Sequence, residues 1–396
     1  MLTDFSNIFS NNILSQSDYE SCLNQNIDIM KKNLSSDKIQ NIFSIIRNED
    51  EVKSIESIAE DLMSKYDEFI VVGIGGSNLS GMAFHDISNP KKKIHFIDNV
   101  DPKKISKILN SIDYQRTKFI IITKSGNTTE ILHITRFLLN TYKNLNPLFI
   151  TENKESDILD IINRYGFEKL DWKNNIGGRY SCFNTNSLLI AAISGIQITP
   201  MLESINEVVL DIKNDNASFY KTAIIKHLLS KNGYHVNTIF CYSSCLASFN
   251  SWFIQLWSES LGQYQNAMLA HGSIGSIDQH SQMQLYLGGN KNNIFNIIDV
   301  IFDKELFISK NPTHYMDELK NIAILNNKFS EFLSSLFDKN KIAFIRNVMD
   351  CNANSLAKYM TYFTFEVLSI AILNNIDPFQ QPHVDNSKSM LMSIVG

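Results

Sequence analysis

From residue 67 onward the chain repeats one pattern, a short apolar run stopped by turn residues and followed by helical spacing. Phe69-Ile70-Val71-Val72 is the first run, Ile94-His95-Phe96-Ile97 the second, Phe119-Ile120-Ile121-Ile122 the third and Leu148-Phe149-Ile150 the fourth. Runs this short read as strands buried on both faces, and their alternation with helices predicts βαβ units and a parallel sheet. After a helical stretch near residues 201–231 the pattern restarts, with strands from Val236 to Tyr242 and from Ile294 to Ile301. Helical patterns then cover about 316–337 and 353–374. Residues 1–66 are polar and helix-leaning, with Ile39, Ile42, Ile45 and Ile46 at helical spacing. The expectation is an α/β fold with two doubly wound parallel-sheet domains and additional helices. A helical segment covers 1–66, a first domain 67–200, and a second domain 201–396 with C-terminal helices and tail. In such sheets ligands bind outside the carboxyl ends of the strands.

Composition narrows the function without naming it. Hydrophobic residues are 44% and charged residues 19% of the 396 positions, which suits a globular chain with more than one core. The net charge of −5, with Lys91-Lys92-Lys93 as the densest basic run, argues against a nucleic-acid partner. Met-Leu-Thr-Asp-Phe-Ser at the N-terminus lacks the basic and apolar regions of a signal peptide. The apolar run from Leu188 to Ile198 contains Ser194 and Gly195 and falls short of the ~20 residues that span a bilayer. A cytoplasmic location with no membrane partner is expected. Cys22, Cys182, Cys241, Cys245 and Cys351 are odd in number and form no CxxC pair, so they read as reduced thiols.

Two loops carry candidate chemistry. Gly73-Ile74-Gly75-Gly76-Ser77-Asn78 lies between the first strand and a helix, where glycines let amides turn inward and the helix end favours an anion. A dinucleotide fingerprint requires Gly where Asn78 stands, and a Walker loop requires Lys where Met82 follows Gly81. Thr123-Lys124-Ser125-Gly126-Asn127-Thr128-Thr129-Glu130 follows the third strand and opens another helix, with Glu130 able to close a capping box on Asn127. Two hydroxyl-rich helix starts on one sheet suggest a phosphomonoester pocket.

These loops resemble the paired sugar-isomerase (SIS) domains of the phosphoglucose isomerase family, in its short form, over about residues 66 to 390. Four further segments match the family in its own order. Gly177-Gly178-Arg179-Tyr180-Ser181 is similar to its Gly-Gly-Arg-Phe/Tyr-Ser. Gln255-Leu256-Trp257-Ser258-Glu259-Ser260-Leu261-Gly262 resembles its Gln-x-x-x-Glu-Ser-x-Gly. Asp278-Gln279-His280-Ser281 is similar to its Gln-His-Ser turn. The segment from Gln381 through Pro382, His383 and Val384 to Lys388 resembles its Gln-Pro-Gly-Val-(Glu)-x-x-Lys.

The resemblance implies interconversion of glucose 6-phosphate and fructose 6-phosphate through ring opening and a cis-enediolate. Moving a carbonyl between C1 and C2 needs a base beside the carbonyl carbon, and a carboxylate suits if burial raises its pKa. By the resemblance Glu259 is that base, Arg179 stabilises the enediolate, and His280 with Lys388 opens the ring. Ser77, Ser125 and Thr128 bind phosphate, with Thr123 and the Lys124 backbone contributing; Gly76, Gly178, Gln255 and Gln381 complete the substrate site. No cofactor is implied, and no HxH, HxxxH or HExxH spacing suggests a metal.

The family also implies a homodimer with a shared site, His280 entering from the neighbouring subunit. The segment from His271 to Asp278, which contains glycines, reads as an excursion long enough to leave its own domain. Departures include Thr123 for Ser, Asn127 for a hydroxyl residue, Ile131 for Thr, Gln263 for Lys and His383 for Gly. His383 is strained if that turn requires a positive φ. A non-catalytic SIS-domain sugar-phosphate sensor and an isomerase that also accepts mannose 6-phosphate stand as the alternatives.

Overall fold

The structure, a computed structural model, describes residues 2–173, 176–302, 313–384, 387 and 390. Among them are strands β1 (Leu2–Asp4), β2 (Glu68–Val72), β3 (Lys93–Ile97), β4 (Thr117–Ile122) and β5 (Leu148–Thr151). β6 (Glu168–Asp171), β7 (Val236–Cys241), β8 (Leu269–Ile274), β9 (Asn293–Ile301) and β10 (Phe344–Asp350) follow. They form two five-stranded sheets, ordered β3-β2-β4-β5-β6 and β1-β10-β9-β7-β8. All pairings are parallel except β1 with β10. This is the α/β fold with two parallel sheets that the apolar runs predict. The predicted runs are β2, β3, β4, β5, β7 and β9; β4, for example, is buried at every position.

The pattern hides β1, β6, β8 and β10, the last an interior strand whose apolar run is interrupted by Arg346 and Asn347. β6, Glu168-Lys169-Leu170-Asp171, has no apolar run because an edge strand keeps charge that discourages further pairing. β8 corrects the reading of residues 271–278 as an excursion. His271 to Ile274 are strand, paired with β7 in the register Val236↔Leu269 through Cys241↔Ile274. Its mixed sequence, Leu-Ala-His-Gly-Ser-Ile, is that of a half-covered edge. Ile42 and Ile45 lie in a 3-10 helix, Asn41–Arg47, whose period of three suits their spacing.

The chain forms two compact units. One comprises Asp37–Glu203 with Pro382–Gly396, and holds the β2–β6 sheet. The other comprises Met1–Ser36 with Ser204–Gln381, and holds the β7–β10 sheet. The N-terminal residues 1–66 are divided between them because their helices find different partners. Gln16–Leu34 packs on the helices Ser218–Lys231 and Ala353–Leu373, whereas Glu49–Lys65 packs on Thr185–Ile193.

The helix Ala353–Leu373 is the spine of the β7–β10 unit. It is long and apolar enough to cross a membrane by length and composition, but 83% of its most apolar window is buried within the protein, as in a core helix. It carries Glu366, which accepts a hydrogen bond from the ammonium of Lys226 at 2.7 Å with both side chains fully buried. The same ammonium lies 5.5 Å from the Trp257 ring centroid and 5.6 Å from that of Phe363. Burial lowers the Lys226 pKa, opposed by the charge and hydrogen bond of Glu366.

Removing one partner of such a pair strands the other charge, whereas replacing both leaves only packing. Lys226→Met should therefore cost about 3–5 kcal/mol, and Lys226→Met with Glu366→Leu should be neutral or stabilising. Denaturant unfolding of the three chains measures this, and a double variant as unstable as the single one would refute it.

Candidate functional site

In the β2–β6 sheet, β3 lies on one side of β2 and β4 on the other, so the chain order reverses between β2 and β4. That is the switch point where doubly wound sheets open a crevice at their carboxyl ends. Both predicted phosphate loops leave the sheet there.

The first loop turns through Gly75, whose φ of +58° suits glycine. Asn78 is fully buried, and its Nδ2 donates to the Gly73 carbonyl at 2.6 Å. A residue that breaks the dinucleotide fingerprint thus fastens the loop onto itself. Gly76 meets Gly178 backbone to backbone, and a Cβ on Gly76 would lie 2.2 Å from the Gly178 carbonyl carbon. The buried Ser181 hydroxyl sits 2.8 Å from both the Gly76 and Gly178 carbonyl oxygens and donates into that pair. Asn186 Nδ2 donates to the Ser77 carbonyl at 3.1 Å. Arg179 is thereby fixed next to the first loop, 4% exposed, its guanidinium 5.3 Å from the Tyr180 ring centroid.

In the second loop, the Thr123 N–H donates to the Ile150 carbonyl at 3.0 Å, continuing the pairing of β4 with β5. Gly126 has φ +69° and touches Ser156, leaving no space for a side chain. Thr128 occupies the N-cap of the helix Thr129–Thr141, yet its side chain does not cap that helix. Its Oγ1 lies 3.2 Å from that of buried Thr123. Ser125 is exposed, and its hydroxyl accepts the Asn127 N–H at 3.3 Å. The capping box of Asn127 with Glu130 does not form; Asn127 Oδ1 instead accepts the Asp157 N–H at 3.0 Å, tying the loop to the next helix. Hydroxyls at the positive end of a helix make a site for an anion.

The remaining predicted residues lie in the β7–β10 unit. Gln255 and Glu259 stand one turn apart on the helix Ala247–Leu261, both half-buried, with Gln255 Nε2 donating to Glu259 Oε1 at 2.8 Å. Trp257 Nε1 donates to the Met268 carbonyl at 2.8 Å, so this helix ends beside the start of β8. Gln263 Nε2 donates to the Asp377 carbonyl at 2.7 Å, which brings the segment leading to Gln381 to the same end. His280 is exposed in the first turn of the helix Ile277–Gly288.

Asp278 fastens that turn to the far end of β8. Its Oδ2 accepts the Ile274 N–H at 2.7 Å and its Oδ1 accepts the Ser281 hydroxyl at 3.0 Å. Burial works to raise its pKa, but hydrogen bonds from Ile274, Gln282 and Ser281, with His271 nearby, hold the carboxyl below its usual range. Glu259 and His280 of one chain therefore stand at opposite ends of β8, roughly 17 Å apart along a strand of this length.

The structure brings Gly76, Ser77, Gly178 and Arg179 together, as it does Thr123, Lys124, Ser125 and Thr128, and likewise Gln255 with Glu259. It does not bring His280 to Glu259. Lys388 lies outside the described residues. His383 is helical, and among the described residues positive φ outside glycine falls only on Asn12, Asn144, Lys341 and Asn375, so His383 bears no such strain. Ser181 and Asn186 hold the glycine crossing, a role that the sequence pattern does not announce. The signal for Asn186 is the polar start, Thr185-Asn186-Ser187, of the helix Thr185–Ile193, whose other residues are apolar. Among the described residues no three His, Cys, Asp or Glu side chains gather as metal ligands.

Residues 61–323 match the family model described as phosphoglucose isomerase. The chain is 27% identical over 362 residues to a glucose-6-phosphate isomerase of Rubrobacter xylanophilus, covering 83% of this chain and 82% of that one. It is 28% identical over 358 residues to a glucose-6-phosphate isomerase of Methanocaldococcus jannaschii, covering 84% and 85%. Among solved structures, a hypothetical protein from Thermus thermophilus superposes with a TM-score of 0.84 at 19% identity over the full length of both chains. A glucose-6-phosphate isomerase from Chlamydia trachomatis does so at 0.75 and 17% identity, over 88% of this chain and 73% of that one.

The glycine crossing is asymmetric, which allows a sharp test. Gly76→Ala drives a methyl into backbone and should cost at least about 2–3 kcal/mol. A Cβ on Gly178 approaches Gly76 no closer than 3.4 Å, so Gly178→Ala should cost less than about 1 kcal/mol. Denaturant unfolding of both variants decides; equal losses would show that the crossing does not carry the strain.

Proposed function

Because the chain belongs to the phosphoglucose isomerase family, we propose that it interconverts glucose 6-phosphate and fructose 6-phosphate. The observation that carries this reading is the hydroxyl-lined pair of loops at a sheet switch point, with a buried arginine fastened beside the first of them. The relatives' activity supplies the substrate.

In this reading the sugar phosphate is anchored by Ser77, Thr123, Ser125 and Thr128 with the Lys124 backbone. Its phosphate faces the positive end of the helix Thr129–Thr141. His280 and Lys388 open the ring, taking the proton of the anomeric hydroxyl and protonating the ring oxygen. Glu259 then removes the proton from C2, a C1–C2 double bond forms, and the carbonyl oxygen becomes an enediolate oxygen. Arg179, preorganised by burial, stabilises that charge. The C2 hydroxyl passes its proton to O1, moving the enediolate charge to O2. The carboxylic acid of Glu259 then returns its proton to C1, and the O2 electron pair reforms the carbonyl at C2. Gln255, donating to Glu259 Oε1, orients the carboxylate for both transfers.

A coupled assay following glucose 6-phosphate formation from fructose 6-phosphate tests the activity. Glu259→Gln should lower kcat by at least ~10²–10⁴ while sugar-phosphate binding persists. Undiminished turnover would remove Glu259 from the base role, and binding without turnover in the unmodified chain would favour a sensor.

The separation of Glu259 from His280 along β8 supports a site shared in a homodimer, with His280 supplied by the second copy. A two-fold interface exchanges the same element in both directions and completes two sites at once. Refolding equimolar Glu259→Gln and His280→Ala chains together should then recover about a quarter of wild-type activity, since half of randomly paired dimers are mixed and each holds one intact site. Mixed dimers with no recovered activity would place both residues in one chain's site.

A further inference from the structure

The second loop holds one full positive charge, and a carboxylate outside the loop engages it. Lys124 stands between Thr123 and Ser125. Its carbonyl accepts the Glu152 N–H at 3.2 Å and the Thr151 hydroxyl at 3.4 Å, which fastens its backbone to the end of β5. The Glu152 carboxylate then reaches back, with Oε1 3.6 Å from the Lys124 ammonium and Oε2 2.9 Å from that of Lys154. Glu152 is 9% exposed, and its Oε1 has no hydrogen-bond partner other than this longer ionic contact. A nearly buried carboxylate with one oxygen given to a single lysine is costly to keep unless that lysine needs restraint.

We propose that Glu152 sets the affinity of the phosphate site by holding the Lys124 ammonium on the β5 side of the loop. This inference rests on the phosphate reading of the loops. Hydroxyls, amides and a helix end bind a phosphate dianion moderately. A free ammonium on the same loop would add a full charge that tightens substrate and product alike. Such uniform binding lowers KM without lowering the barrier, and it slows release of product. Glu152 is thus a positioning residue that keeps the anchor weak enough to turn over. A purely structural Glu152 predicts the opposite sign, because loosening the loop weakens the anchor.

Calorimetry with inorganic phosphate on the full chain separates the two. Glu152→Gln, which keeps size and shape, should tighten phosphate binding about three- to tenfold, as one released charge at loop distance would. Glu152→Ala should do the same, and added Lys124→Met should abolish the gain in either background. With fructose 6-phosphate, Glu152→Gln should lower KM and kcat together. Unchanged or weaker phosphate binding in Glu152→Gln, or tightening that survives Lys124→Met, would overturn the inference while the phosphate site stands. No phosphate binding by the unmodified chain would overturn the reading of the loops and this inference with it.

Discussion

The crossing of Gly76 over Gly178 leaves no space for a side chain on Gly76, and the surrounding polar core is organised to hold it. Two carbonyls that face each other across such a contact cannot satisfy one another. Ser181, donating between them, and Asn186, whose Nδ2 lies 3.4 Å from the Gly76 carbonyl oxygen, supply the missing donors from the adjoining helical segment. Ser187 in turn donates to the Ser181 carbonyl and lies 2.5 Å from the Ser80 hydroxyl, carrying the network into the helix after the first loop. The first loop and the backbone that carries Arg179 are therefore tied together, as the electrostatic role proposed for that arginine requires.

The doubly wound topology imposes the second constraint. A helix that crosses from one parallel strand to the next runs antiparallel to both, so its two ends lie at opposite edges of the sheet. Residues early in such a helix share the carboxyl edge with the loops, and residues late in it do not. Glu259 is late in its helix and His280 is early in the next. Their separation follows from connectivity, and the proposed exchange of His280 between copies answers it without any loop leaving the fold.

Charge is rationed in both units by the same physics. In the β7–β10 unit the ammonium of Lys226 is sealed in the core with Glu366, among Trp257 and Phe363. In the β2–β6 unit Lys124 and Lys154 share Glu152. An unpartnered charge in a low-dielectric interior is too costly to persist. The residues proposed to hold phosphate are correspondingly hydroxyls and backbone amides at a helix end.

Most central strands were legible in the sequence because a strand buried on both faces must be apolar throughout, and Phe69–Val72, Phe119–Ile122 and Leu148–Ile150 are; β10 was not, since Arg346 and Asn347 interrupt it. The loops were legible because glycine and hydroxyl residues at a strand-to-helix junction have few other uses, and the family motifs carried Arg179 and Glu259. Edge strands β6 and β8 were not legible, since an edge tolerates charge and half-exposure and so leaves no period to read. Nor was the fate of Asn127, whose side chain can accept an N–H from its own helix or from another; only the approach of Asp157 selects the second. Local chemistry was thus written along the chain. Which backbone meets which, Gly76 on Gly178 or Lys124 beside Glu152, was decided by the packing of segments distant in sequence, where steric exclusion and the partnering of buried charge leave one arrangement.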